Sequence, residues 1–181
     1  MKKIEEYIRS IPDFPEPGII FRDVTSVLQD ADGLHMAIDQ MQKKLEGVDF
    51  DIVLGPESRG FIFGVPVAYN MHKAFVPVRK KGKLVRKKGK LPRATISQTY
   101  DLEYGTATIE IHKDAIQPGQ KVVIIDDLIA TGGTTEAIIK MVEELGGEVV
   151  RCVFLMELAG LKGREKLNGY DIDSAIIYEG K

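Results

Sequence analysis

The stretch of this chain best equipped for chemistry is Val122-Val-Ile-Ile-Asp-Asp-Leu-Ile-Ala-Thr-Gly-Gly-Thr-Thr135. Its opening β-branched run reads as a strand of a parallel sheet covered on both faces. That strand delivers Asp126 and Asp127 at its carboxyl end, where open α/β sheets bind ligands. The small residues Ala130 to Thr135 then open a helix. Gly132 and Gly133 let backbone approach an anion closely. Free N–H groups at the helix start, with the hydroxyls of Thr131, Thr134 and Thr135, can hold a phosphate. No Gly-Lys-Ser/Thr follows, so this is not a Walker loop, and without Gly-x-Gly-x-x-Gly a dinucleotide site is a weak reading. Adjacent carboxylates repel the anion that the loop attracts. A sugar between them removes the conflict, because carboxylates accept hydrogen bonds from vicinal hydroxyls while the phosphate sits on the helix terminus. Taken alone, each part fits a strand end that merely caps a turn. The ordered combination favours a sugar phosphate.

The elements that must position these groups alternate. Ile4, Tyr7, Ile8 and Ile11 recur at helical spacing and predict a short helix that stops before Pro12. Pro12 to Gly18 is irregular, and a helix is expected from about Gly33 to Leu45. Asp51–Gly55 reads as a buried strand, Pro56–Gly60 as a turn, Phe61–Met71 as a helix despite Pro66, and Ala74–Val78 as a strand. A basic loop from Arg79 to about Tyr100 precedes a strand at Thr106–His112, with Ile109 and Ile111 on one face. After the Val122 strand come a helix to Leu145, a strand at Glu148–Met156, a short helix at Leu161–Leu167 and a strand at Ile172–Ile177. The fold class is α/β, a mainly parallel twisted sheet flanked by helices. One domain spans 1–181, with an N-terminal addition over about 1–33 and a basic flap over about 79–105.

Composition sets the class. The 181 residues are 44% hydrophobic and 29% charged, ordinary for a globular domain with a sizeable core. A net charge of −2 gives no global pull toward nucleic acid or membrane, so any anion site is local. The single cysteine, Cys152, sits in an apolar run, which excludes an intramolecular disulfide and a cysteine-based zinc site. The N-terminal residues lack a signal-peptide core and no apolar stretch is long enough to span a bilayer, so a cytoplasmic protein is expected.

The basic flap contains a perfect tandem repeat. Val78-Arg-Lys-Lys-Gly-Lys-Leu84 is followed at once by Val85-Arg-Lys-Lys-Gly-Lys-Leu91. Two copies with a central glycine do not make a coiled coil. The simplest account is an insertion in a tolerant surface loop, where added length costs little.

Asp126 to Thr135 resembles the donor-binding segment of type I phosphoribosyltransferases, whose donor is 5-phosphoribosyl 1-diphosphate. Within them the chain is similar to the adenine phosphoribosyltransferases. The likeness extends to Ile11–Asp23, Gly55–Gly64, Tyr100–Gly105 and Glu157–Leu167, in family order and over nearly the whole chain.

The resemblance implies roles. Asp126 and Asp127 bind the ribose hydroxyls, while Ala130, Thr131, Gly132, Gly133 and Thr134 hold the 5-phosphate. Glu57, Ser58 and Arg59 match the diphosphate loop, with a cis bond between Glu57 and Ser58. A cation at a helix start opposes the helix dipole, which independently favours a bound anion at Arg59. Ile20, Phe21 and Arg22 match a base-binding hood. Glu103 and Tyr104 match a catalytic flap, Glu103 as acid/base group at the purine and Tyr104 near the reacting sugar. Arg79, Lys80 and Lys83 match the flap cations if the first repeat occupies the site, and Arg86, Lys87 and Lys90 match equally if the second does. The first is favoured because it follows the Ala74 strand directly. Mg2+ is expected mainly on the donor diphosphate, with no direct protein ligand assigned. The partners implied are adenine, the diphosphate donor and a second copy in a homodimer, with no nucleic acid or membrane. A donor-linked enzyme for another base and a ligand-sensing regulator are the rivals. The Arg22 and Glu103-Tyr104 segments favour adenine, and no helix-turn-helix segment stands out for the regulator.

Overall fold

The computed structural model describes residues 2–82, 90–101 and 105–180. Nine strands and five α-helices are present among them, numbered here in chain order. A seven-stranded sheet forms the centre, ordered β5-β6-β4-β3-β7-β8-β9. Its strands are β3 (Ile52–Pro56), β4 (Ala74–Lys80), β5 (Thr95–Asp101), β6 (Thr106–His112), β7 (Lys121–Ile129), β8 (Glu148–Leu158) and β9 (Ile172–Tyr178). The β4-β3-β7-β8-β9 pairs are parallel, and β5 and β6 add an antiparallel edge. The mainly parallel α/β sheet expected from the sequence is therefore present.

Period-two alternation along β7 builds two cores. Val123 and Ile125 pack with Phe63 and Val67 of α3 (Arg59–Asn70) and with Ala37 and Met41 of α2 (Ala31–Lys43). Val122 and Ile124 face the other way, against Ile138, Ile139 and Val142 of α4 (Gly133–Glu144). Helix α2 starts where Asp30 caps it, its carboxylate accepting from the N–H groups of Asp32 and Gly33 at 3.0 Å. The chain leaves β3 through α3 toward β4 on one side, and leaves β7 through α4 toward β8 on the other. The crevice between the carboxyl ends of β3 and β7 is thus a topological switch point.

Two expectations are corrected. The N-terminal helix is only a 3-10 turn at Ile4–Tyr7, and Arg9–Pro12 is instead β1, paired antiparallel with β2 (Ile20–Asp23). A helix that short has little stability of its own. Pairing with β2 satisfies the backbone while still burying Ile4 and Ile8. The hairpin turn is closed by Asp13, whose carboxylate accepts from the Gly18 N–H at 2.8 Å. A one-turn helix α1 (Thr25–Leu28) leads on to α2, and α5 (Gly163–Lys166) is the short helix before β9.

The basic segment is not loop as far as Tyr100. β4 runs through Lys80, and Thr95–Asp101 forms β5 on β6. Only Ile96 of β5 is buried, so its alternation is faint in the sequence and pairing with β6 decides the strand.

Candidate active site

The switch-point crevice is a cleft of about 390 Å³. Its walls bring together Glu57, Ser58, Arg59 and Lys80 on one side and Asp126, Asp127 and Thr134 on the other. These are residues singled out from the sequence. Tyr100, Ala107, Ile109 and Leu128 also line it and were not.

Alternation in β7 sends its acids to opposite faces. Asp127 follows Ile125 toward α3 and accepts from Nε of Arg59, the first residue of that helix. Asp127 is 4% exposed, whereas the Arg59 side chain is half exposed at the cleft. Asp126 lies on the α4 side, half-buried at the cleft floor, where a carboxylate oxygen accepts from the Asp127 N–H at 2.9 Å. Burial, then the neighbouring Asp127 charge, push the Asp126 carboxyl well above the usual carboxylate range. Cations or hydroxyl donors at that spot would favour its ionised form.

The loop between β7 and α4 is built for close approach. Gly132 has φ +79°, and a methyl group there would lie 2.8 Å from the Gly163 carbonyl oxygen. A methyl on Gly163 would collide in turn with the Ala130 carbonyl oxygen. Backbone therefore packs on backbone between this loop and α5. Among the described residues, the N–H groups of Thr131, Gly132, Gly133 and Thr134 meet no protein acceptor. The start of α4 is thus open to an anion. Above it, Tyr100 Oη and Thr134 Oγ1 lie 3.1 Å apart. A methyl on Gly133 would lie 3.9 Å from the Lys166 ammonium, a cation the sequence did not single out because it belongs to α5.

At the opposite wall, the Glu57–Ser58 bond is cis, as the resemblance implied. The Ser58, Arg59 and Gly60 N–H groups likewise meet no protein acceptor among the described residues. Burial by itself raises the Glu57 carboxyl, but bonds from Lys90, Arg79 and the Lys80 N–H outweigh it and hold the group at about 2. Arg79 reaches this wall by donating to Glu57 at 3.0 Å.

Other expected groups lie apart from this lining or outside the described residues. Ile20, Phe21 and Arg22 lie on the β1–β2 hairpin and are not in the lining of this cleft. The Arg22 guanidinium sits 4.0 Å over the Tyr178 ring at the carboxyl end of β9 and donates to Ser10. Ile20 and Phe21 are exposed, with Phe14 edge-on to Phe21 at 5.2 Å. The hairpin approaches the cleft through Asp23, whose carboxyl is lowered chiefly by the Thr25 hydroxyl and also by the charges of Arg9 and Arg59. Lys83, Glu103 and Tyr104 lie outside the described residues.

Residues 25–179 match the family described as "Phosphoribosyl transferase domain". An adenine phosphoribosyltransferase of Lachnoclostridium phytofermentans is 73% identical over all of both chains. The chain belongs to the adenine phosphoribosyltransferase family. Among solved structures, adenine phosphoribosyltransferase from Thermoanaerobacter pseudethanolicus superposes with a TM-score of 0.88 at 54% identity, covering 97% of this chain and 98% of that one. The Saccharomyces cerevisiae adenine phosphoribosyltransferase, solved with an imino-altritol bisphosphate and adenine, gives a TM-score of 0.84 at 37% identity over 94% and 95% of the two chains. Within the adenine phosphoribosyltransferase family, then, this chain keeps the full-length fold, and it is a pentosyltransferase.

Proposed function

We propose that the cleft between β3 and β7 transfers the 5-phosphoribosyl group from 5-phosphoribosyl 1-diphosphate to adenine, giving AMP and diphosphate, a purine-salvage reaction. The observation that carries this reading is two helix starts with open N–H groups, α3 and α4, facing one cleft with an acid pair between them. The α4 start, from Ala130 to Thr134, takes the 5-phosphate. Asp126 and Asp127 hold the ribose hydroxyls. Ser58, Arg59 and Lys80 take the diphosphate, with Arg79 and Glu57 behind them.

Displacement at the anomeric carbon makes the ribose oxocarbenium-like and gathers negative charge on the leaving diphosphate. The half-buried Asp126 favours the first, and Arg59 and Lys80 favour the second. Ile20, Phe21 and Arg22 are assigned to the base, and Glu103 and Tyr104 to the reacting groups, by the family likeness. Among the described residues no cluster of three His, Cys, Asp or Glu side chains is placed to cage a metal. The residues would fit a magnesium ion carried mainly by the donor diphosphate, and the chemistry it would supply is neutralisation of the leaving group.

One domain with an N-terminal hood over about 1–33 and a flap over about 79–105 accounts for these roles. A homodimer is supported by α3, whose outer face carries Ile62, Val65 and Tyr69 at 39%, 47% and 84% exposure, an apolar stripe at helical spacing. No helix among the described residues is long and apolar enough to cross a membrane. Cys152 is buried, which pushes its thiol up to about 12, so it is an inert core residue and in keeping with a cytoplasmic enzyme.

The deciding experiment is AMP formation from adenine and the donor, with and without magnesium, against a panel of hypoxanthine, xanthine and orotate. Turnover of adenine alone supports the reading. Donor binding without any nucleotide product overturns it.

A further inference from the structure

The perfect repeat offers two equivalent sets of flap cations, and the structure draws on both. β4 carries Val78, Arg79 and Lys80 of the first copy. Its end is fixed by pairing with β6, Arg79 opposite Glu110 and Lys80 opposite Ile109, and by the Lys81 N–H donating to the Thr108 carbonyl at 2.9 Å. Nε of Arg79 and the Lys80 N–H both donate to Oε2 of Glu57, each at 3.0 Å. The other oxygen, Oε1, accepts from the ammonium of Lys90 at 2.6 Å. Lys90 belongs to the second copy.

The ends of the repeated stretch also meet. A methyl group on Gly82 would lie 3.7 Å from Cε of Lys90. Gly82 and Lys90 hold successive places in the repeat unit, glycine of the first copy and the lysine after glycine of the second. An inserted unit of one full period returns the chain to the same residue order, so either lysine suits the site chemically. What distinguishes them is the sequence that follows. Lys90 leads through Leu91-Pro92-Arg93-Ala94 straight into β5, whereas Lys83 is followed by the second copy.

We propose that the site is a composite of the two copies, with Arg79 and Lys80 from the first and Lys90 from the second, and that Glu57 is the positioning residue that latches both. Glu57 sits on the turn between β3 and α3, at the wall assigned to the diphosphate. Both of its oxygens accept from cationic or N–H donors, which suits a positioning role. Its charge offsets the repulsion among Arg59, Arg79, Lys80 and Lys90, which converge on the same wall. The proposal rests on the reading of the cleft as a phosphoribosyl-transfer site, and it takes Lys90 where the sequence reading favoured Lys83.

The test compares Lys90→Met, Lys83→Met, Glu57→Gln and the double variant Glu57→Gln/Lys90→Met, with Lys90→Arg as the conservative control. AMP formation by the unaltered chain is measured first, so that failure of the reaction itself is seen separately. Lys90→Met should raise the donor KM about tenfold with a much smaller change in kcat, at least about fivefold more than Lys83→Met does, and Lys90→Arg should restore most of the loss. The double variant should lose less than the sum of the two single losses, because the two substitutions break the same contact. Melting temperatures give the same cycle without turnover, and the two substitutions should be non-additive there too. A larger effect from Lys83→Met, or additive losses in both readouts, overturns the proposal.

Discussion

Gly132 offers a quantitative test of how the phosphate-binding loop is held. Its φ of +79° penalises any side chain, and a methyl group there would lie 2.8 Å from the Gly163 carbonyl oxygen. Gly119 is an internal control. Its φ is +84°, yet nothing lies within 4 Å of the methyl an alanine would add. Gly119→Ala should therefore cost only the left-handed backbone penalty, about 1–2 kcal/mol. With about 2–4 °C of melting temperature per kcal/mol at this chain length, that is a fall of roughly 2–8 °C. Gly132→Ala carries the same penalty plus an overpacked contact with backbone that cannot rotate away, about 1–3 kcal/mol more.

The two losses differ in kind as well as size. Relief of the clash moves the β7–α4 loop off α5, and with it the N–H groups that take the 5-phosphate. Misplacement of a binding group on that scale costs about 10–100-fold in kcat/KM for the donor. Gly119, in the turn before β7, should leave kinetics untouched. Thermal melts and donor saturation curves of both variants, at fixed adenine, read out the comparison. Gly163→Ala should behave like Gly132→Ala, since its methyl meets the same loop from the other side. Equal melting losses and unchanged kinetics for Gly132→Ala and Gly119→Ala would refute the argument.

Other outcomes follow from the charges at and around the cleft. Asp126 has a raised carboxyl pKa in the folded chain, so the native state holds its proton longer than the unfolded state and stability falls as pH rises through that raised value. Asp126→Asn removes this loss. It should melt higher than the parent at about pH 8 but not at about pH 4, and should make little AMP. Asp127→Asn should lower turnover by about 10²–10³-fold with a small change in stability, because Arg59, half exposed, is readily solvated when its partner is lost. A variant with near-parental turnover would remove the acid pair from the mechanism. Arg164→Ala is the structural counterpart. It strips both guanidinium bonds, each 2.7 Å, from Glu157, whose side chain is 7% exposed. The expected cost is about 3 kcal/mol, read as a melting fall of roughly 6–12 °C with the AMP-forming rate at low temperature unchanged. Burial works against it, but bonds from Arg164 and Ser174 hold the Glu157 carboxyl low. That stability should therefore be present at neutral pH and fade as pH falls below about 4.5, and Arg164→Ala should flatten the decline.

The sequence by itself determined the parallel core and the donor end of the site. A β-branched run such as Val122–Ile125 reads as a strand buried on both faces, and acids followed by Thr-Gly-Gly-Thr-Thr at its end favour a sugar phosphate. Those signals are local, carried by residues adjacent in the chain. Tertiary structure decided what depends on partners far away in sequence. The Ile4–Ile11 spacing suits a helix, yet only Ile4–Tyr7 turns, and pairing with β2 makes Arg9–Pro12 a strand. β5 exists because β6 pairs with it. The division of labour within the acid pair, Asp127 bound to Arg59 and Asp126 left at the cleft floor, came from the opposite facing of neighbouring strand residues and the place where α3 begins. Two identical repeats carry the same side chains, so adjacency to the Ala74 strand was the sole local guide between them. Only the fold, by bringing Arg79, Lys80 and Lys90 to a single carboxylate, tells them apart.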